Sequence, residues 1–275
     1  FNPLCVSPNL WGRERRTLPK IGKVGAGVDG MKLPPIRALF LDLDQTLADD
    51  RFSANESWEQ AFEFLLEFDE RLPHDDLKEV YWRLSNDVWS VLDEKMPPDA
   101  SAEAIRLEIW PEALRRIGCG DWREWGILAA QRYWERRMET YHLYPDTLPF
   151  LTSAREAVPV ILITNGTQDI QEAKIEKTGL RGHVDDVLIA QAVGASKPSP
   201  RIFGHALALA DCLPQEALMV GDNYERDVIG ALQCGIRAIW MRRDGDGVEP
   251  PYPPFPEAVI HDLSPIFNLL PSGVT

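Results

Sequence analysis

The sequence lacks any apolar run approaching the ~20 residues that a membrane-crossing helix needs. It is also poor in paired thiols. Its four cysteines, Cys5, Cys119, Cys212 and Cys234, are widely spaced and form no CxxC. This speaks against a zinc site or a disulfide framework and fits incidental thiols in a reducing, cytoplasmic setting. Positive charge is scarce as well: 29 Lys and Arg stand against 43 Asp and Glu, for a net charge of -14. An acidic surface repels nucleic-acid backbones and anionic membranes, so neither is expected as a partner. None of the five histidines falls in a motif, and no internal repeat is visible.

What is present is a chain of 275 residues, long enough for one large domain or a domain plus a lid. Its 44% hydrophobic and 26% charged content is that of an ordinary soluble globular protein. The first thirty residues stand apart. They lack periodicity, are rich in Gly, Pro and Arg, and hold five Lys or Arg against two Asp or Glu. Met31 stands just before the first strand-like run. Residues 1–34 are therefore expected to be a disordered or non-native extension; scarce serine and the absence of an amphipathic pattern argue against a transit peptide.

Ala38-Leu39-Phe40-Leu41 is a continuous apolar run, read as a buried parallel strand. Residues 55–142 then change character. Trp58, Ala61, Phe62, Leu65 and Leu66 follow the stripe of an amphipathic helix. A second helix is expected from about Asp76, with Glu79 as its capping-box partner. A third spans Ala102 to Ile117, with Pro111 inside it and Gly118 as its stop. A fourth runs from near Asp121 to Met138. From Tyr144 strands and helices alternate: strands at Val160–Ile163, Val187–Ile189, Ala217–Val220, Ala238–Trp240 and Val259–Ile260, helices at Gln168–Thr178, Pro200–Ala210 and Arg226–Cys234. Such alternation implies a doubly wound α/β fold, a parallel sheet with helices on both faces. The expected division is an α/β core over residues 35–54 and 143–275, with an all-helical domain over residues 55–142 inserted after the first strand. The insert leaves from the sheet's C-terminal edge, where open α/β sheets bind ligands, so it should act as a lid.

Four strand ends carry polar residues that a strand does not need. Asp42 and Asp44 follow the first, and Thr164 and Asn165 the second. Lys197 lies beyond the third, and Asp222, Asn223 and Asp227 follow the fourth. In a parallel sheet these ends converge, and several carboxylates sharing one crevice call for a hard divalent cation such as magnesium.

The set Asp42-Leu43-Asp44-Gln45-Thr46, Ile163-Thr164-Asn165-Gly166, Ser196-Lys197-Pro198 and Val220-Gly221-Asp222-Asn223 with Asp227 resembles the four ordered motifs of the haloacid dehalogenase-like hydrolases. Each motif alone is weak; the order and spacing over residues 36–245 carry the resemblance, with the insert where that superfamily's helical type 1 cap sits. The resemblance implies a Rossmann-like core and a role for each residue. Asp42 would be the nucleophile. Asp44 would be the general acid and then the base, with its backbone carbonyl on the metal. Thr46 would hold the turn by hydrogen bonding. Thr164, Asn165 and Lys197 would bind phosphate, Lys197 also keeping Asp42 ionised. Asp42, Asp44 and Asp222 would hold Mg2+. Asn223 and Asp227 would support the site, Asp227 orienting the lysine or a metal-bound water.

The second aspartate decides a fork within the superfamily. The dehalogenase and phosphonatase branches lack it, whereas a phosphate ester's alkoxide leaving group needs a proton. The run from Ile163 to Gly166, continuing through Lys174-Ile175-Glu176-Lys177-Thr178-Gly179-Leu180, is similar to the branch of N-acylneuraminate-9-phosphatases and pyrimidine 5′-nucleotidases. The expectation is a hydrolase of phosphoric monoesters, monomeric or homodimeric, acting on a small phosphorylated molecule such as a sugar phosphate or nucleoside monophosphate. A sugar-phosphate mutase or a non-catalytic phosphometabolite-binding protein are the alternatives. Seven of the nine tryptophans fall in the insert, where they are expected to fill its core rather than to stack a base or sugar.

Overall fold

The computed structural model describes residues 34–94, 97–245 and 249–271. The expected extension over residues 1–34 therefore lies outside the described residues except for Pro34. The first strand, β1, is Ala38–Leu41. Four long helices follow: α1 Asp50–Leu66, α2 His74–Glu94, α3 Ala102–Arg116 and α4 Trp122–Thr140. The chain then returns through α5 Thr147–Ala157, β2 Val160–Thr164, α6 Gln168–Thr178, β3 Asp186–Ile189 and the short α7 Ala190–Val193. It closes with α8 Pro200–Ala210, β4 Ala217–Gly221, a π-helical turn Tyr224–Ile229 running into α9 Gly230–Gln233, β5 Arg237–Met241 and β6 Ala258–Ile260.

The six strands form one parallel sheet in the order β3-β2-β1-β4-β5-β6. Strand side chains alternate between faces, and each face is buried. Leu39, Leu41, Leu162, Val220 and Met241 pack with Phe150 and Leu151 of α5 and Ile175 of α6. Phe40, Ile161, Ile163, Met219 and Trp240 pack on the other side with Ile202, Phe203 and Ala206 of α8. A third apolar cluster lies within the four long helices: Trp58, Phe62 and Leu65 of α1, Leu77 and Tyr81 of α2, Ile109, Trp110 and Leu114 of α3, Ala129, Ala130 and Tyr133 of α4. Among the described residues, no helix is long and apolar enough to cross a membrane.

The first long helix, whose start the apolar stripe left open, begins at Asp50, because Asp49 caps it by accepting from the Phe52 N–H at 2.9 Å. Other local readings need correction. The second long helix starts at His74, not Asp76: the Leu77 N–H already bonds to the Pro73 carbonyl at 3.0 Å, so Asp76 and Glu79 lie inside the helix and form no capping box. The segment read as one helix from Arg226 begins at Tyr224 as a π turn. Helix α5 was not anticipated at all; its apolar pattern is short and interrupted by Pro149.

Candidate active site

The loop after β1 is a tight return. The Leu47 and Ala48 N–H groups both reach the Leu43 carbonyl, at 2.9 and 3.0 Å. Gln45 takes a left-handed backbone, φ 61°, which L-residues rarely adopt. Its backbone N–H bonds to Ala48 O at 2.8 Å and its side chain accepts from the Arg51 N–H at 2.8 Å, which offsets the strain. Arg243, beyond β5, clamps the same loop by donating to the Thr46 carbonyl at 2.7 and 3.1 Å. The loop thus presents Asp42 and Asp44 on fixed backbone.

Asp42 is 7% exposed. Lys197 donates to its Oδ1 at 2.5 Å and the Thr46 hydroxyl to its Oδ2 at 3.2 Å. The Thr46 side chain therefore holds the Asp42 carboxylate itself, while backbone bonds and Arg243 hold the turn. Lys197 Nζ also donates to the Ile163 carbonyl at 2.8 Å and pairs with Asp227 Oδ1 at 2.7 Å. Asn165 clasps the lysine's backbone: Lys197 N–H donates to Asn165 Oδ1 at 2.8 Å and Asn165 Nδ2 donates to Lys197 O at 3.0 Å. Asp227 sits on the π turn, where its Oδ2 accepts from the Asn223 N–H at 2.9 Å. Gly221 makes this approach possible, since a Cβ there would lie 2.3 Å from Asp227 Oδ2. Trp240 steadies the adjoining loop by donating its indole N–H to the Asp222 carbonyl at 2.7 Å.

The structure gathers all the strand-end residues. Asp42, Asp44, Thr164, Asn165, Lys197, Asp222, Asn223 and Asp227 line one cavity of about 320 Å³, at the small end of ligand pockets. Carboxylate oxygens of Asp42, Asp222 and Asp227 lie within 4.8 Å of one another. Burial, with Asp227 and Asp44 nearby, pushes the Asp42 carboxyl up to about 7 despite Lys197. Burial and the neighbouring Asp42 and Asp227 also raise Asp222 well above the usual carboxylate range. Lys197 is shifted the other way: burial disfavours its charge, but Asp227 and Asp42 outweigh that and raise it. Three acids facing one ammonium leave negative charge uncompensated. That donor set, carboxylate oxygens with no sulfur or imidazole, fits a hard divalent cation.

Asp44 belongs to a second cluster. Lys174 of α6 donates to both of its oxygens, at 2.9 and 2.8 Å, the Tyr141 hydroxyl to Oδ1 at 2.8 Å, and Gln171 to Oδ2 at 3.2 Å. Lys174 also pairs with Asp50 at 2.7 Å, and Asp50 pairs with Arg137 of α4. Asp44 is thereby tied to the base of the helical insert. Asp50, Trp89, Arg106, Arg137, Gln171 and Lys174 all line the cavity, and sequence reasoning missed each of them as site residues. A signal existed: Arg106 occupies the buried stripe 106, 109, 110, 113 of α3, Arg137 the stripe 126, 129, 130, 133, 137 of α4, and Gln171 and Lys174 the buried face of α6. A charged or amide side chain in an apolar stripe is unusual and marks something it must face. The tryptophans divide accordingly: Trp58 and Trp110 are fully buried in the insert's core, while Trp89 reaches the cavity.

The family model described as haloacid dehalogenase-like hydrolase matches residues 36–235. A phosphoserine phosphatase from Thermus thermophilus is 39% identical over 170 residues, covering 61% of this chain and 66% of that enzyme. An N-acylneuraminate-9-phosphatase from Rattus norvegicus is 29% identical over 249 residues, covering 88% of this chain and 96% of that enzyme. Among solved structures, a 2-haloacid dehalogenase from Pseudomonas syringae superposes with a TM-score of 0.61 at 26% identity, covering 85% of this chain and 97% of that one.

Proposed function

The chain belongs to the haloacid dehalogenase-like hydrolase family, and from that premise we propose that it is a magnesium-dependent phosphatase acting on a small phosphate monoester through an aspartyl phosphate on Asp42. The observation that carries this reading is the pair of independently supported aspartates: Asp42 held by Lys197 and Thr46, Asp44 held by Lys174, Tyr141 and Gln171. On this reading one acid would attack and the other would move a proton. Cleavage of a carbon–halogen bond has no use for the second.

In the first step an Asp42 carboxylate oxygen bonds to phosphorus as the bond to the ester oxygen breaks, and Asp44 gives that oxygen its proton. In the second step Asp44 takes a proton from water, whose oxygen attacks phosphorus; the acyl phosphate bond breaks and Asp42 is regenerated. Lys197, with Thr164 and Asn165 beside it, would neutralise and bind the phosphoryl oxygens. Asp42 and Asp222, with the Asp44 backbone carbonyl, would hold Mg2+, and Asp227 fixes Lys197. Bound there, the ion would offset charge on phosphate and on the clustered carboxylates. The small cavity supports a metabolite, a sugar phosphate or nucleoside monophosphate, rather than a polymer.

The test is phosphate release from a panel of phosphorylated metabolites with magnesium, with EDTA, and with Asp42→Asn. EDTA is expected to abolish turnover, and the variant to lose on the order of 10⁴-fold or more while remaining folded. Undiminished phosphate release by the variant would overturn the assignment of the nucleophile.

A further inference from the structure

We propose that Arg106, seconded by Arg137, forms a second anion subsite in the same cavity, so that the substrate carries another anionic oxygen group, a carboxylate or a second phosphate, besides the phosphoryl group that is cleaved. This rests on the phosphatase reading and narrows its substrate class.

The argument starts from unspent donors. Arg106 is 7% exposed, lies on the buried stripe of α3 and lines the cavity. Its Nε and Nη1 are buried with no hydrogen-bond partner, and among the described residues no carboxylate pairs with it. A guanidinium cannot shed its charge, so burying it unpaired is costly unless an anion arrives. Arg137, 2% exposed, likewise keeps Nε and Nη1 unpartnered after its Nη2 bonds to Asp50. Both lysines of the cavity are engaged, Lys197 with Asp42 and Asp227, Lys174 with Asp44 and Asp50, while a third arginine, Arg226, lines it from the sheet edge.

Aromatic rings hold Arg106 in place. Its guanidinium carbon lies 4.8 Å from the Tyr133 ring centre and 5.6 Å from that of Trp89. Cation–π contacts of this kind orient a cation without consuming its hydrogen-bond donors. They also mean that Trp89 already carries a cation on one face, which leaves less of the ring for stacking a nucleobase. Within the proposed substrates, this favours a phosphorylated acid or bisphosphate over a nucleoside monophosphate.

The experiment compares kcat/KM for substrates matched but for the second charge: phosphoglycerate against glycerol phosphate for the carboxylate arm, and fructose bisphosphate against fructose phosphate for the phosphate arm. The unaltered enzyme is expected to prefer the doubly anionic member of one pair by about tenfold to a hundredfold, the worth of hydrogen bonds to a charged group. R106Q should erase that preference by lowering the anionic member's kcat/KM alone, and R106K should restore part of it. Equal rates within both pairs for the unaltered enzyme, or a Gln variant that lowers both members of the preferred pair alike, would overturn the subsite; the first of these needs no variant to fold. Turnover of no phosphate ester at all would instead overturn the phosphatase reading, so the two failures are distinguishable.

Discussion

The cavity has two walls, and they are built on different principles. The sheet-edge wall carries Asp42, Thr164, Asn165, Lys197, Asp222 and Asp227 at or just beyond strand ends, where hydrogen-bonded strands fix the backbone. Its charge remains on the negative side, with three clustered carboxylates against the Lys197 ammonium and the Arg226 guanidinium at its rim. The opposite wall carries Asp50, Arg106, Arg137, Gln171 and Lys174 from the inward faces of helices. There Lys174 and Arg137 neutralise Asp44 and Asp50, and Arg106 is left over. One wall is short of a cation and the other of an anion. A metal ion and an acidic substrate would complete both.

The largest effect should come from removing the sheet wall's one ammonium. Lys197→Met strands Asp42 and Asp227 as a buried pair of acids. Activity should fall about 10³-fold or more, since a buried charge that stabilises the transferring group is lost. Stability without metal at neutral pH should drop by about 3–5 kcal/mol, as is usual when one partner of a buried ion pair is deleted. Urea denaturation in EDTA measures this, and adding Asp227→Asn should recover part of it. A variant as stable as the parent would mean that the two walls do not differ in their dependence on a cation.

Lys174→Met strikes the opposite wall and should cost less, because its partners keep other contacts. Arg137 still pairs with Asp50, and Tyr141 and Gln171 still donate to Asp44. Destabilisation of about 1–3 kcal/mol is expected, the cost of leaving charged hydrogen-bonding groups partly unsatisfied. A fall in kcat of about tenfold to a hundredfold should accompany it as Asp44 loses its orientation. Equal effects from the two lysines in steady-state kinetics and denaturation would erase the distinction.

The same contrast explains what was legible beforehand. Each sheet-wall residue follows an apolar strand run, and aspartate, lysine or asparagine is conspicuous there. The alternation of strands and helices gave the parallel sheet, but strands that are apolar on both faces carry no alternation from which the register could be read. The helical wall hides its residues in patterns of period 3.6, where Arg106 or Lys174 reads as a solvated position unless the stripe is traced with care. Lys174 entered the sequence reading only as part of a run similar to known phosphatases. Asp50 falls in the stretch 35–54 read as part of the α/β core, because the helix begins before its apolar stripe does. Arg106, Arg137, Asp50, Lys174 and Asp44 meet only through the packing of α1, α3, α4 and α6, and no spacing along the chain encodes that meeting.

The smallest expected effect is in the pH dependence, and there the walls should carry opposite signs. Burial alone would raise Asp50, but Arg137 and Lys174 beside it more than reverse this and hold its carboxyl well below the usual range. A depressed folded-state value contributes stability above the ordinary carboxylate range of about 4, and that contribution is lost as pH falls below it. Asp42, raised by burial to about 7 in the metal-free protein, behaves conversely. It favours the folded state most below its ordinary value of 3.8, and this benefit is lost as pH rises from there through about 7. Urea midpoints measured in EDTA across about pH 3 to 8 should therefore decline at both ends. Asp50→Asn should lessen the slope of the acid limb, which other paired carboxylates such as Glu112 share, and leave the neutral one, whereas Asp42→Asn should lessen the neutral limb, which the raised Asp222 shares, and leave the acid one. Were Asp50→Asn to leave the acid limb as steep as the parent's, the pairing of Asp50 with Arg137 and Lys174 would contribute nothing to stability, and the helical wall would be held together by its apolar contacts alone.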